Sequence, residues 1–335
     1  MKKTLANNII IIAIFFMIYS PLMFLSLYKM EYTVTSPGYN DEVEGFIKLE
    51  TEYEQVGSFH TTSVFVIDEI TLLQKLIGDL DYRIEVEPFP DYYNQIDIDD
   101  IEVLGYLQKD ESIQNSLIVA ARNSNILIEY ETFPTVYLTF NYLEEDTLEL
   151  GDKIITVNGN TEFRAGVDEA ECGSLVEFVI EREDETLTFM LEKKVKYDCG
   201  IGIYVKNFTE IISTDLVYEI IETNTGGSSG GLMQSLYIYN RLTQNDITSG
   251  LKVAGTGTIN IDGDVGAIGG IEQKILTSHY NGMDIFFVPH LSDSENDNYI
   301  KALTIYNKLD TDMILVPVSS FEEALNYLLA LEEDN

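Results

Sequence analysis

Apolar side chains run from Ile9 to Tyr28 without one charged residue. As a helix, at about 1.5 Å per residue, this run reaches roughly 30 Å, the depth of a bilayer's hydrocarbon core. Beyond it the pattern becomes that of a folded body. "GSFHTTSVFVI", 57–67, is dense in β-branched and aromatic residues and predicts a strand. "ITLLQKLIGDL" (70–80) and "ESIQNSLIVAARNS" (111–124) carry apolar residues at helical spacing. In the second, Ile113, Leu117, Ala120 and Ala121 share a face. Between these two, "FPDYYNQIDIDD" reads as a loop or edge broken by Pro88 and Pro90.

From residue 126 the rhythm turns to strands: "NILIEYE", "PTVYLTFNY", then "GDKIITVNG", then "SLVEFVIEREDETLTFMLEKK", a hairpin around Asp184-Glu185. The last third alternates. An amphipathic helix follows "TGGSSGG", and "GLKVAGTGTINIDGDVGAIGG" makes two strands around Asp262-Gly263. "IEQKILTSHYNG" is a helix stopped by Gly282. "MDIFFVP" and "MILVPV" are short buried strands, and "FEEALNYLLALEE" is a closing helix. The pattern predicts an α+β chain whose last third is α/β.

At 335 residues the chain has room for two or three compact units. Its net charge of −37, from 57 acidic and 20 basic residues, excludes nucleic acid as a partner, because phosphates would be repelled. Lys2 and Lys3 precede the apolar run, so its N-terminal end is expected in the cytoplasm and the remainder outside. The run ends in "PLMFLSLYKM" without a small-x-small cleavage site, which favours an uncleaved single-pass anchor kinked at Pro21 over a signal peptide. Cys172 and Cys199 suit an oxidising compartment, but their pairing does not follow from the sequence. The three histidines, His60, His279 and His290, sit in no metal-binding spacing, and neither metal nor cofactor is expected. "SDSENDN", 292–298, reads as a solvated turn rather than a calcium loop.

"TGGSSGG", 225–231, concentrates glycine at a helix start. A phosphate cradle would need a Gly-Lys pair, and the chain has none, which argues against ATP. A plain serine-capped loop is one reading. The other is a nucleophile turn, where unpaired backbone N–H groups at the helix start stabilise an oxyanion. A serine nucleophile needs a base. Lys274, on the helix entered through Gly269-Gly270, could serve if buried and neutral; an exposed helix lysine is the alternative.

"GGSSGGLMQSLYIYN" followed by "AGTGTINIDGDVGAIGGIEQKILTSHYNGMDIFFVP" resembles the proteolytic domain of Lon-type serine proteases. The resemblance implies Ser229 as nucleophile, Lys274 as base and Thr256 as the group that orients the amine. It also implies a turn at Gly227, Ser228 and Gly230 that holds the oxyanion. Ser228 stands where the family has proline and Gly230 where it has alanine, which makes Ser228 a decoy candidate. "GDKIITVNG" resembles the central strand of PDZ domains, which take extended peptides as an added strand. The usual glycine-rich carboxylate loop is not recognisable before "PTVYLTF".

Anchor, PDZ-like block and Lon-like half together resemble the membrane-anchored Lon-like proteases of the YlbL/SepM type. The expected plan is an anchor at 1–30, a strand-helix segment at 31–125, a PDZ domain at 126–196 and a proteolytic domain at 197–335. The 31–125 segment resembles the opening of a Lon proteolytic domain, which would make the PDZ an insertion. The implied function is an ATP-independent serine endopeptidase working outside the cytoplasmic membrane on peptide or protein substrates, with a homo-oligomer as a candidate assembly. One rival is a non-catalytic membrane adaptor that binds peptides through its PDZ domain. Another is a signal-peptidase-like Ser/Lys enzyme at the membrane surface.

Overall fold

A computed structural model describes residues 2–333 except 52, 54, 90–95, 97, 142 and 144–146. The apolar run is one helix, α1 (Lys2–Leu27), which continues through Pro21. Its part Ile10–Leu27 is long and apolar enough to cross a membrane and is not buried against the rest of the chain. There follow β1 (Tyr32–Glu42), β2 (Ile47–Leu49), β3 (Ser58–Ile67), α2 (Leu72–Gly78), β4 (Glu85–Pro88) and α3 (Ile98–Asn123). The middle holds β5 (Ile128–Thr139), β6 (Lys153–Val157), α4 (Phe163–Asp168), β7 (Leu175–Arg182), β8 (Glu185–Glu192) and β9 (Ile203–Thr214). The last third starts with β10 (Tyr218–Ile220), α5 (Gly231–Leu242), β11 (Lys252–Gly255), β12 (Thr258–Ile259) and β13 (Val265–Gly266). It ends with α6 (Ile271–Tyr280), β14 (Ile285–Pro289), α7 (Asn298–Tyr306), β15 (Ile314–Val318) and α8 (Phe321–Glu333).

The architecture is mixed α/β. Six strands form one sheet in the order β15-β14-β11-β3-β1-β4. β11 runs parallel to β3 and β14, and β14 parallel to β15; β1 is antiparallel to both β3 and β4. Half of this sheet therefore comes from residues 32–88 and half from 252–318. All five residues of β14 are buried, as expected of a parallel strand covered on both faces. Phe59 of β3, Ile113 and Leu117 of α3, Leu232 and Leu236 of α5, and Phe287 of β14 share one core.

Between the two halves lies a separate antiparallel sheet, β8-β7-β6-β5-β9, with its own core of Val136, Val157, Phe178, Ile180 and Leu191. It extends past the expected boundary at residue 196, because β9 pairs with β5 along nearly its whole length. "NILIEYE" and "PTVYLTFNY" are accordingly one strand. The β7–β8 hairpin turns on Glu183 and Asp184, one residue earlier than expected, both at positive φ (49° and 62°). That geometry is what a two-residue turn between twisted strands requires. Cys172 and Cys199 are joined in a disulfide, Cα atoms 5.4 Å apart.

Most of the 89–100 loop lies outside the described residues; 98–100 already belong to α3, which starts well before the expected 111. Its first half is tied to β5, where Thr139 donates to Asp100 and Gln108 donates to the Tyr137 hydroxyl. "SDSENDN" is a turn whose Asp297 caps α7 and accepts from the N–H groups of Leu291 and Ser292. No metal-binding cluster of His, Cys, Asp and Glu occurs among the described residues.

Candidate active site

Ser229 ends the glycine turn, immediately before Gly230 and the start of α5. Gly227 sits at φ +93°, where a side chain would be strained, and turns the chain. Its N–H donates to the Gly105 carbonyl of α3 (2.7 Å), so it is not free to hold an oxyanion. Gly226 packs so closely on α3 that an added Cβ would lie 3.0 Å from the Gly105 backbone. Two turns further along α3, Ser112 donates to the Ser228 carbonyl (3.2 Å), and one turn beyond it Ser116 donates to the Gly231 carbonyl (3.0 Å). The helix thus grips the turn from both sides of Ser229. This leaves the backbone N–H groups of Ser229 and Gly230 without a hydrogen-bond partner among the described residues.

Gly230 also explains its departure from the family pattern. A Cβ there would lie 2.9 Å from Thr61 Oγ1 and 3.3 Å from Gln234 Nε2. β3 approaches the nucleophile turn too closely for alanine to fit without a shift.

Lys274 enters from α6. Gly270 starts that helix in the left-handed region (φ 65°), which directs the first turn over the sheet. The lysine is only 2 % exposed, so the exposed-helix reading does not hold. Its Nζ lies 2.7 Å from Ser229 Oγ and 3.0 Å from Thr256 Oγ1. Burial alone lowers its pKa from the usual lysine value to about 7, because a dry surrounding disfavours the ammonium. Thr256, fully buried after β11, donates to the Ser229 carbonyl (3.1 Å). The Gly257 N–H donates to the same carbonyl (2.8 Å). Thr256 therefore ties the Ser229 backbone and the lysine amine to one hydroxyl.

Ser229 and Lys274 line a common cleft of about 420 Å³ with Tyr39, Asp41 and residues 61–66 of β3. Burial raises the Asp41 pKa. Ser228 lines a different cavity, with Ser112, Asn115 and Asn260. None of the histidines lines the cleft; His60 meets Ser58 and His290 meets Asp297. Thr61, Ser112 and Gly105 were not singled out by the sequence. The available signal was weak: Ser112 and Ser116 stand one turn apart on an otherwise apolar helix face.

The buried amine, the hydroxyl and the two unpaired N–H groups form a set suited to acyl transfer. Residues 151–331 match the family model of the Lon protease (S16) C-terminal proteolytic domain. The chain is 31% identical to a Lon protease of Buchnera aphidicola over 163 residues, 47% of this chain and 18% of that protein. It is 26% identical to a Lon protease of Vibrio parahaemolyticus over 189 residues, 56% of this chain and 22% of that protein. The matches thus span about a fifth of those curated relatives. The family match covers more than half of the chain and encloses Ser229, Thr256 and Lys274, and the chain belongs to the Lon protease (S16) C-terminal proteolytic domain family.

Proposed function

We propose that this protein is a membrane-anchored serine endopeptidase that cuts peptides or proteins outside the cytoplasmic membrane, without ATP. The observation that carries the reading is the 2.7 Å approach of a buried lysine amine, its pKa lowered to about 7, to Ser229 Oγ. Lys274 takes the Ser229 proton as Oγ attacks the peptide carbonyl, and the N–H groups of Ser229 and Gly230 hold the oxyanion. Collapse of the adduct breaks the C–N bond, and Lys274 returns the proton to the leaving amine. Water, deprotonated by the same amine, then releases the acyl group and restores Ser229. Thr256 accepts from Nζ and so keeps the amine lone pair toward Ser229.

β3 supports an extended substrate. β11 pairs with it only from Ser58 to Thr61. Beyond that, residues 62–66 line the cleft with one edge unpaired among the described strands. A peptide added to this edge would pass its backbone beside Ser229. The five-stranded insert is read as the PDZ module of a YlbL/SepM-type protease, on the strength of "GDKIITVNG" and its independent core. The anchor reading gains from the folded body's grip on α1: the Leu72 N–H donates to the Tyr28 carbonyl and the Met30 N–H to the Ile70 carbonyl. Cleavage before residue 31 would discard both of these bonds.

The test is turnover of a peptide library by the purified full chain without ATP, beside Ser229→Ala. Equal products from both would reject the reading and favour the adaptor. Protease added to protoplasts should digest everything beyond residue 30; protection would reject the outside location.

A further inference from the structure

α2 is a short helix with its apolar side turned outward. Leu73, Leu76, Ile77 and Leu80 recur at helical spacing and form one stripe. Leu76 is 47% exposed, Ile77 55% and Leu80 89%, and Tyr82 beyond them is also exposed. Exposed leucines scattered singly need no account, but a continuous stripe on an otherwise acidic protein does.

Its position supplies the account. α2 starts where α1 ends: the Leu72 N–H donates to the Tyr28 carbonyl (2.9 Å), and Lys29 bridges to Thr71. At about 1.5 Å per residue, α2 reaches only about 10 Å from that junction. A bilayer's headgroup layer is on the order of 5–8 Å deep on each side of the hydrocarbon core. If α1 spans the membrane, the stripe cannot lie far from lipid. Charge agrees with this setting. Glu69, Asp79 and Asp81 each hold a basic partner, Lys29 (2.8 Å), Lys75 (2.7 Å) and Arg83 (2.6 Å). Three acids around α2 are thus paired in a chain of net charge −37, which reduces repulsion from anionic headgroups, although Glu31 and Asp68 hold no ion pair among the described residues.

We propose that α2 and the turn after it form a foot that rests in the lipid headgroup layer beside α1 and holds the catalytic cleft at a set height above the membrane. Thr61 lies against the nucleophile turn, and β3 runs from there to Ile67, close to the foot. Six strand residues cover about 20 Å, so the dyad sits within roughly that distance of the β3 tip. The exposed Phe65, Val66 and Ile67 continue the apolar surface from the foot toward the cleft. Substrate is then drawn from chains lying at the membrane surface. This inference rests on the anchor reading above.

The full chain, reconstituted into vesicles of phosphatidylcholine and phosphatidylglycerol, tests it. Single cysteines at Leu22, Leu80 and Ile212 take an environment-sensitive fluorophore; Cys172 and Cys199 are already paired. The foot predicts that the Leu80 probe loses most of its emission to headgroup-depth nitroxide lipids, while the Ile212 probe does not. Adding Leu76→Glu and Ile77→Glu should return the Leu80 probe to the Ile212 level. A Leu80 probe as unquenched as Ile212, with the Leu22 probe quenched by deep nitroxides, overturns the foot and leaves the anchor. An unquenched Leu22 probe overturns both. Quenching at Leu80 that survives the two glutamates overturns the stripe as its cause.

Discussion

The two sheets of this molecule hold together in different ways. The five-stranded insert is antiparallel and mostly local: β6, β7 and β8 are consecutive and pair with their sequence neighbours. Its buried Asp152 is met by Arg182 in two hydrogen bonds (both 2.7 Å), and its Cys172–Cys199 bond closes a separation of 27 residues. The six-stranded sheet is built from distant pieces. β3 lies against β11 in parallel, and the nucleophile turn is held by α3 residues more than a hundred positions away in the chain. The insert is secured by covalent and ionic ties. The six-stranded sheet is secured by close backbone approach, and α6, packed on it, carries a buried lysine that works against folding.

The largest effect expected from breaking this contrast falls on the catalytic side. Ser229→Ala and Lys274→Arg should each lower peptide turnover by at least about a thousandfold with circular dichroism unchanged, since a serine without its base, or a base that cannot lose its proton, stalls acyl transfer. Ser228→Ala should keep most of the rate. Loss of turnover from Ser228→Ala, with Ser229→Ala still active, would reverse the assignment.

Lys274 should also cost stability. Its folded pKa of about 7 lies below the unfolded value of roughly 10.4, so between these pH values the unfolded chain binds more protons. Folding therefore becomes more favourable as pH rises across that window, and the penalty is largest near and below pH 7. Lys274→Met should raise stability at pH 7 by about 3–5 kcal/mol in denaturant titrations, with the gain shrinking toward pH 10. An unchanged midpoint at pH 7 would mean that the amine is solvated. Over the same range turnover should rise with pH through about 7, as the amine loses its proton.

On the insert side, Cys172→Ser should destabilise that sheet by about 3.5 kcal/mol, the loop-closure value for such a separation. Cleavage of a short peptide should hardly change. A parallel loss of activity would show that the two sheets fold as one unit. The smallest effect is the most local. Gly226→Ala would press a methyl on the α3 backbone and displace the turn by a fraction of an ångström, lowering kcat by about ten- to a hundredfold with little change in melting temperature.

Much of this was legible in the chain because it depends on near neighbours. The uncharged run from Ile9 to Tyr28 determines a span-length helix, since length and hydropathy are summed locally. The alternation in "SLVEFVIEREDETLTFMLEKK" determines a hairpin, since period two places one face inward. The glycines at 226, 227, 230 and 231 mark a turn where backbones meet, and the motif around Lys274 marks a helix. Other features were decided only in three dimensions. Whether Lys274 was a solvated helix residue or a buried amine depended on β1 and β3 covering α6, and only that cover lowers its pKa. Cys172 and Cys199 pair because the β7–β8 ladder runs on through the Gly173 N–H to the Lys193 carbonyl and the chain then folds back through a Lys194–Gly200 bridge, which brings their Cα atoms within 5.4 Å. The partners of the nucleophile turn, Gly105, Ser112 and Thr61, are invisible to local pattern, since close packing between remote segments has no period in the sequence.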